Sequence, residues 1–180
     1  MSESANPINE AQAGAARYTS AILAKLGDRE PFGVLRDMPA KLARLVLGLT
    51  PANLVTPEAP GKWSALQVVH HLADSELVGG YRFRLILAAD RPELVAYDQD
   101  RWVERVHRGD TNVDEVLADF GALRRANLRL LESTSAADRE RFGVHAERGR
   151  ESLGLLIRLY AGHDLAHLAQ LERIRIRLLG

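Results

Sequence analysis

Apolar residues recur along most of this chain in steps of three and four, the spacing of one face of a helix. Runs that alternate apolar and polar are nearly absent. Four helices follow from the pattern. The first is predicted over 34–49, with Leu35, Met38, Leu42, Leu45, Val46 and Leu49 on one side. Pro39 lies inside it, where a proline either marks the first turn or kinks the helix. Residues 50–62 hold three prolines and a glycine and read as a loop. The second helix is predicted over 64–89, with Ser64 as its N-cap and Arg91-Pro92 past its end. The third spans 113–133, opened by Asn112 with Glu115 in a capping pair. Val113, Val116, Phe120, Leu123 and Leu130 supply its apolar side. The fourth starts near Ser152 and runs over 152–178.

The connections are long. Residues 92–110 contain Tyr97, Asp98 and Trp102, and connections of that length in a small domain often carry function. Residues 135–150 are irregular, and 142–150 can make a small hairpin. Residues 1–30, rich in Ala, Ser, Gly and charge, read as an arm that is partly helical around 15–26. Its stripe of Tyr18, Ile22 and Leu26 needs cover from the rest of the chain or from a partner. The expected architecture is an all-α four-helix bundle over 31–180, with long crossover connections, preceded by the arm 1–30.

Composition narrows the function. A chain of 180 residues buries enough surface to need no crosslinks. Its 24 basic and 24 acidic residues cancel, and no basic stripe points to nucleic acid. Arg124-Arg125 reads as the solvated face of the third helix. There is no cysteine, which excludes disulfides, thiolate-zinc sites and a catalytic thiol of the protein's own. Any sulfur chemistry must use a small-molecule thiol. No segment resembles a signal peptide or a membrane span, so no membrane is expected and the cytoplasm is the expected compartment.

The fourth helix carries the candidate chemistry. Its stripe runs Leu153, Leu156, Tyr160, His163, His167, Leu171, Ile174, Leu178. Two histidines stand where a bundle core expects leucine. Residues four apart have Cβ atoms roughly 6 Å apart, so both imidazoles can reach one metal ion. A lone core histidine is more often a hydrogen-bonded packing residue; two on one stripe would each need a buried partner. The second helix offers His70 and His71, which point about 100° apart. Helical periodicity puts His70 slightly nearer the apolar centre and does not choose between them.

Lys62-Trp63-Ser64, then His70-His71-Leu72-Ala73-Asp74-Ser75-Glu76, then His163-Asp164-Leu165-Ala166-His167, together resemble the DinB-like superfamily, and within it the bacillithiol transferase branch, formerly called metal-dependent hydrolases. Met38 to Leu42, Tyr81 to Leu85, and Tyr97-Asp98 with Trp102 extend the likeness over roughly 30–180. The resemblance implies a homodimeric four-helix bundle holding one divalent metal, nickel or zinc, on three histidines. It places the first ligand directly before Leu72-Ala73-Asp74, which is His71. The other two are His163 and His167. His70 would then be a boundary residue, bonded to the loop after the first helix.

Three neutral imidazoles leave positions open for a reactant, as in catalytic rather than structural sites. A metal there lowers the pKa of a coordinated thiol or water toward neutrality. The function expected from the resemblance is transfer of a small thiol such as bacillithiol to an electrophile. Hydrolysis, with water in place of thiol, is the alternative, and a non-enzymatic metal-binding stress protein the third reading. His107 and His145 read as surface histidines with a site-edge role open. Asp98, Trp102 and Arg105 are candidates to line a pocket, with Trp102 more simply a packing anchor. Tyr160, one turn before His163, reads as a core tyrosine with a satisfied hydroxyl, with donation of a hydrogen bond into the site as the alternative. Glu76 either orients a ligand imidazole or pairs with an arginine such as Arg84.

Overall fold

In the computed structural model, which describes residues 7–107 and 109–180, each main helix begins where a side chain can take up the free backbone N–H groups of its first turn. Helix α1 spans Pro7–Leu26. Helix α2, Pro31–Val46, is capped by Glu30, which accepts from the Phe32 and Gly33 amides, and has Pro31 in its first turn. It therefore starts three residues before the predicted 34, and Pro39 lies within it. The stretch expected to be loop contains a short helix, α3, Pro51–Val55, opened by a reciprocal cap between Thr50 and Asn53. Thr50-Pro51 carries that signal, a capping residue followed by proline at the first helical position.

Helix α4, Ala65–Ala88, starts at Ser64, with Gln67 completing the capping box. The connection after it is partly ordered as strand β1, Glu93–Leu94, and helix α5, Gln99–Arg105, capped by Asp98. Helix α6, Val113–Glu132, is capped by Asn112, which accepts from the Asp114 amide. A short α7, Ala136–Glu140, precedes the expected hairpin, formed by β2, Phe142–His145, and β3, Gly149–Ser152. Strand β1 joins β2 in parallel, giving a three-stranded sheet. Helix α8, Leu153–Leu179, begins at Ser152, whose hydroxyl accepts from the Leu155 amide.

The fold is the expected four-helix bundle of α2, α4, α6 and α8. Helix α8 packs on α2 and α4, and α6 packs on the same two. Helix α1 lies against α8, with Ile22 and Leu26 buried. A Cβ at Gly162 of α8 would run into the Ile22 carbonyl, so the two backbones are in close approach. The stripe thought to need a partner is thus covered by the same chain, except for Tyr18, which stays half exposed.

Two apolar clusters fill the bundle. One contains Met38, Leu42, Val69, Leu72, Phe120 and Leu171. The other contains Leu26, Leu35, Phe83, Ile86, Leu131 and Leu156. Buried polar residues lie on three of the bundle helices: His71, Asp74, Ser75 and Glu76 on α4, Arg124 and Asn127 on α6, and Asp164 on α8, with half-buried His163 beside it. This polar layer positions the candidate site. Among the described residues no helix is long and apolar enough to cross a membrane.

Candidate metal centre

Helices α4 and α8 pack side by side in this layer, and they bring His71, His163 and His167 together. One nitrogen from each ring lies within 4.8 Å of the other two. The Nε2 atoms of His71 and His163 are 3.0 Å apart, and those of His167 and His163 are 3.1 Å apart. Ligand bonds of about 2.0–2.1 Å at tetrahedral angles would place such nitrogens roughly 3.3 Å apart. Two of the three separations therefore already stand close to the spacing that one small divalent ion requires, and no carboxylate joins the group among the described residues.

Two of the rings are packed from behind. The Trp63 indole packs on His71 at 4.8 Å and stacks at 6.3 Å on His167. The Nδ1 of His167 bonds to Gln170 Oε1 at 2.9 Å, the kind of outer contact that fixes a ligand tautomer. The Nδ1 of His71 is buried without a partner. Burial holds all three imidazoles neutral, with their mutual repulsion adding to it at His71 and His163. His71 is lowered to about 3, His163 falls well below its ordinary value, and His167 is also lowered. Neutral rings with converging lone pairs are the form a divalent cation needs, so the residues present fit such an ion.

His70 stays outside the cluster. It is buried too, because α4 is covered on that side by the segment after α5. Its ring stacks on His107 at 4.0 Å, and its Nε2 has no partner. It is neither at a boundary nor bonded to the loop after α2. His107 is tied down by Asp74, Nε2 to Oδ2 at 2.6 Å.

Beneath the histidines lies a network that the sequence did not reveal. Arg124, read as solvated, is 2% exposed. It donates to both Asp164 oxygens at 2.6 and 3.0 Å, to Glu76 Oε1 at 2.9 Å and to the Leu35 carbonyl. Asn127 donates to Glu76 Oε2 and to its backbone carbonyl. Glu76 therefore pairs with an arginine as one reading held, but with Arg124 and not Arg84, which bonds Asn127 Oδ1 and the Gly80 carbonyl. The signal was present. Val116, Phe120, Arg124, Asn127 and Leu131 form a three-four stripe, and the two polar members sit on its buried side. Asp164 follows His163 directly, so the network braces the helix turn that carries His163.

A cavity of about 410 Å³ opens from His71 and His163. It is walled by α1, α4, α8 and the small sheet, with Tyr18, Ser75, Arg82, Tyr97, His145 and Tyr160 among its lining residues. Asp98 lines it, whereas Trp102 and Arg105 do not; Trp102 instead packs on Tyr97 at 4.8 Å. His145 is not a surface residue: it is 2% exposed, and its Nδ1 accepts from the Glu147 and Arg148 amides. Tyr160 has no hydrogen-bond partner for its hydroxyl within the described protein, contrary to the satisfied tyrosine expected. Gly79 makes room for it, since a Cβ there would lie 2.5 Å from that oxygen.

The model of the DinB superfamily matches residues 35–171, and the chain belongs to that family. A relative from Bacillus mycoides strain KBAB4, 34% identical over 80% of this chain and 83% of its own, is named a "putative metal-dependent hydrolase". One from Bacillus cereus strain B4264 carries the same name at 33% identity over the same shares. The solved structure of YfiT from Bacillus subtilis, described as a probable metal-dependent hydrolase with an unusual four-helix bundle topology, matches with a TM-score of 0.78. It is 30% identical and covers 82% of this chain and 85% of its own.

Proposed function

We propose that this protein is a metal-dependent transferase that joins a low-molecular-weight thiol of the bacillithiol type to an electrophile, using one divalent ion, nickel or zinc, on His71, His163 and His167. The observation that carries it is the convergence of three neutral Nε2 atoms, two of whose residues line a 410 Å³ cavity, with no fourth side-chain ligand among the described residues. A divalent ion on this site supplies the charge that ionises a nucleophile near neutral pH. The chain itself has no cysteine to serve as that nucleophile.

Two features favour thiol over water. A thiol has an ordinary pKa of about 8.5 and needs no partner base, whereas water activation is usually helped by a carboxylate or histidine. Here the carboxylates closest in sequence to the three histidines are all engaged, Asp74 by His107 and Glu76 and Asp164 by Arg124, and of the two that line the cavity Asp98 caps α5 and Glu147 is exposed. The cavity also has room for a thiol and an electrophile together. Hydrolysis is the second reading, favoured by the names of the relatives. The homodimer belongs to the same proposal and rests on the family likeness, since the α1 stripe is covered within the chain; light scattering should show twice 19.9 kDa.

The test is an assay of nickel- and zinc-loaded protein with bacillithiol and simpler thiols against a chlorinated aromatic, beside an ester and an amide without thiol. Thiol conjugation lost on chelation supports transfer. Ester or amide hydrolysis with every thiol inactive replaces it with the hydrolase reading.

A further inference from the structure

Among the described residues, Arg82 is a buried cation with no carboxylate partner. Arg124 is matched by Glu76 and Asp164, and Arg148 is matched on both oxygens by Glu151. Arg82 is 6% exposed. Its Nη2 donates to the Val95 carbonyl, its Nε has no partner, and no carboxylate pairs with it among the described residues. A cation out of water without a counter-charge is costly. This one lines the cavity that ends at His71 and His163.

Its place on α4 gives the cavity a direction. Eleven residues separate His71 from Arg82, three helical turns plus about 20°, so both stand on one face about 16 Å apart along the axis. Ser75 lines the same face between them. Long helical side chains lean toward the helix N-terminus, which carries the guanidinium back toward the histidines. Two carboxylates, Asp98 and Glu147, also line the cavity. Both belong to exposed residues, where water screens them, and Asp98 is occupied in capping α5.

We propose that Arg82 is an anion-binding residue that holds a substrate carboxylate, the reacting group of the same molecule lying on the order of 10 Å away at the histidine cluster. A carboxylate fits better than a phosphate, because one unmatched positive charge faces the cavity and a phosphate brings nearly two negative ones. Tyr18, Tyr97 and Tyr160 would flank the connecting part of the molecule. This rests on the cavity being the substrate site of the reaction proposed above, but not on the identity of that reaction.

The test is calorimetric titration of the full-length protein, as purified and after metal removal, with 4-phenylbutyrate and with its uncharged amide at low ionic strength. The acid should bind at least tenfold more tightly than the amide in both preparations. Arg82→Gln should abolish that preference and leave amide binding unchanged; Arg82→Met gives the same reading if the glutamine variant does not fold. His163→Ala should leave the preference intact, so failure of the metal chemistry would not be mistaken for failure of this site. Equal binding of acid and amide overturns the proposal, as does a preference that survives loss of the Arg82 charge or disappears when metal is removed.

Discussion

The Nε2 atoms of His71 and His163 stand 3.0 Å apart although 92 positions separate the residues in sequence. Such an approach is stable only if one ring donates to the other or a cation lies between them. A proton on both nitrogens would set two donors against each other. The site is therefore built for deprotonated rings, and its stability depends on pH.

Acidification should weaken the metal-free protein. In the unfolded chain a histidine takes up its proton near 6.5. In the folded chain burial lowers His71 to about 3 and His70 to about 4, and also depresses His163 and His167. Between those values the unfolded state binds more protons, so stability rises with pH and is lost as pH falls below 6.5. Asp164, raised by burial to about 6 with Arg124 opposing, and Asp74, also raised by burial, act the other way, but they are two groups against five once His145, lowered by burial, is included. Thermal melts of stripped protein should show a lower midpoint at pH 5 than at pH 7; a higher one contradicts this account.

Arg124→Leu should be among the most damaging substitutions in the chain. It strands Glu76 and Asp164, both buried, without their counter-charge, and breaking one side of such a pair costs about 3–5 kcal/mol. Urea denaturation should report a loss of that size. Arg124→Leu combined with Glu76→Gln and Asp164→Asn should recover part of it, because no unpaired charge then remains. A single variant as stable as the parent would show that the network is not formed.

Gly162→Ala tests the docking of α1. Alanine is the better helix former by about 1 kcal/mol, so on an open helix face the change would stabilise. Here the added methyl meets the Ile22 backbone, which cannot rotate away, and overpacking of this kind costs about 1–3 kcal/mol. The variant should be destabilised and should expose residues of α1 to faster amide exchange. A gain in stability would place α1 elsewhere.

Much of this fold was legible because it is local. Ser64, Asn112 and Ser152 announce their helices by the capping chemistry at the next few residues, and the Leu153 to Leu178 stripe shows its buried side directly. Thr50-Pro51 was equally local, and the prolines around it hid the short α3. What was not legible depends on distant partners. Arg124 and Asn127 look like surface residues until Glu76 and Asp164 arrive from two other helices. His145 reads as a loop histidine until the hairpin turns it inward. The choice between His70 and His71 failed by periodicity for the same reason: α5 and His107 cover the second side of α4, so both histidines are buried and the helix has no single apolar face. Their difference is only in what each ring meets, and the family likeness anticipated which of the two joins His163.

The central claim is that His71, His163 and His167 hold one divalent ion and His70 holds none. Elemental analysis of purified protein and of the four single alanine variants tests it most directly. The account predicts close to one equivalent of nickel or zinc in the parent and in His70→Ala, and a sharp loss in His71→Ala, His163→Ala and His167→Ala. Full metal content in the His163→Ala, His167→Ala double variant, or loss in His70→Ala with retention in His71→Ala, would contradict it.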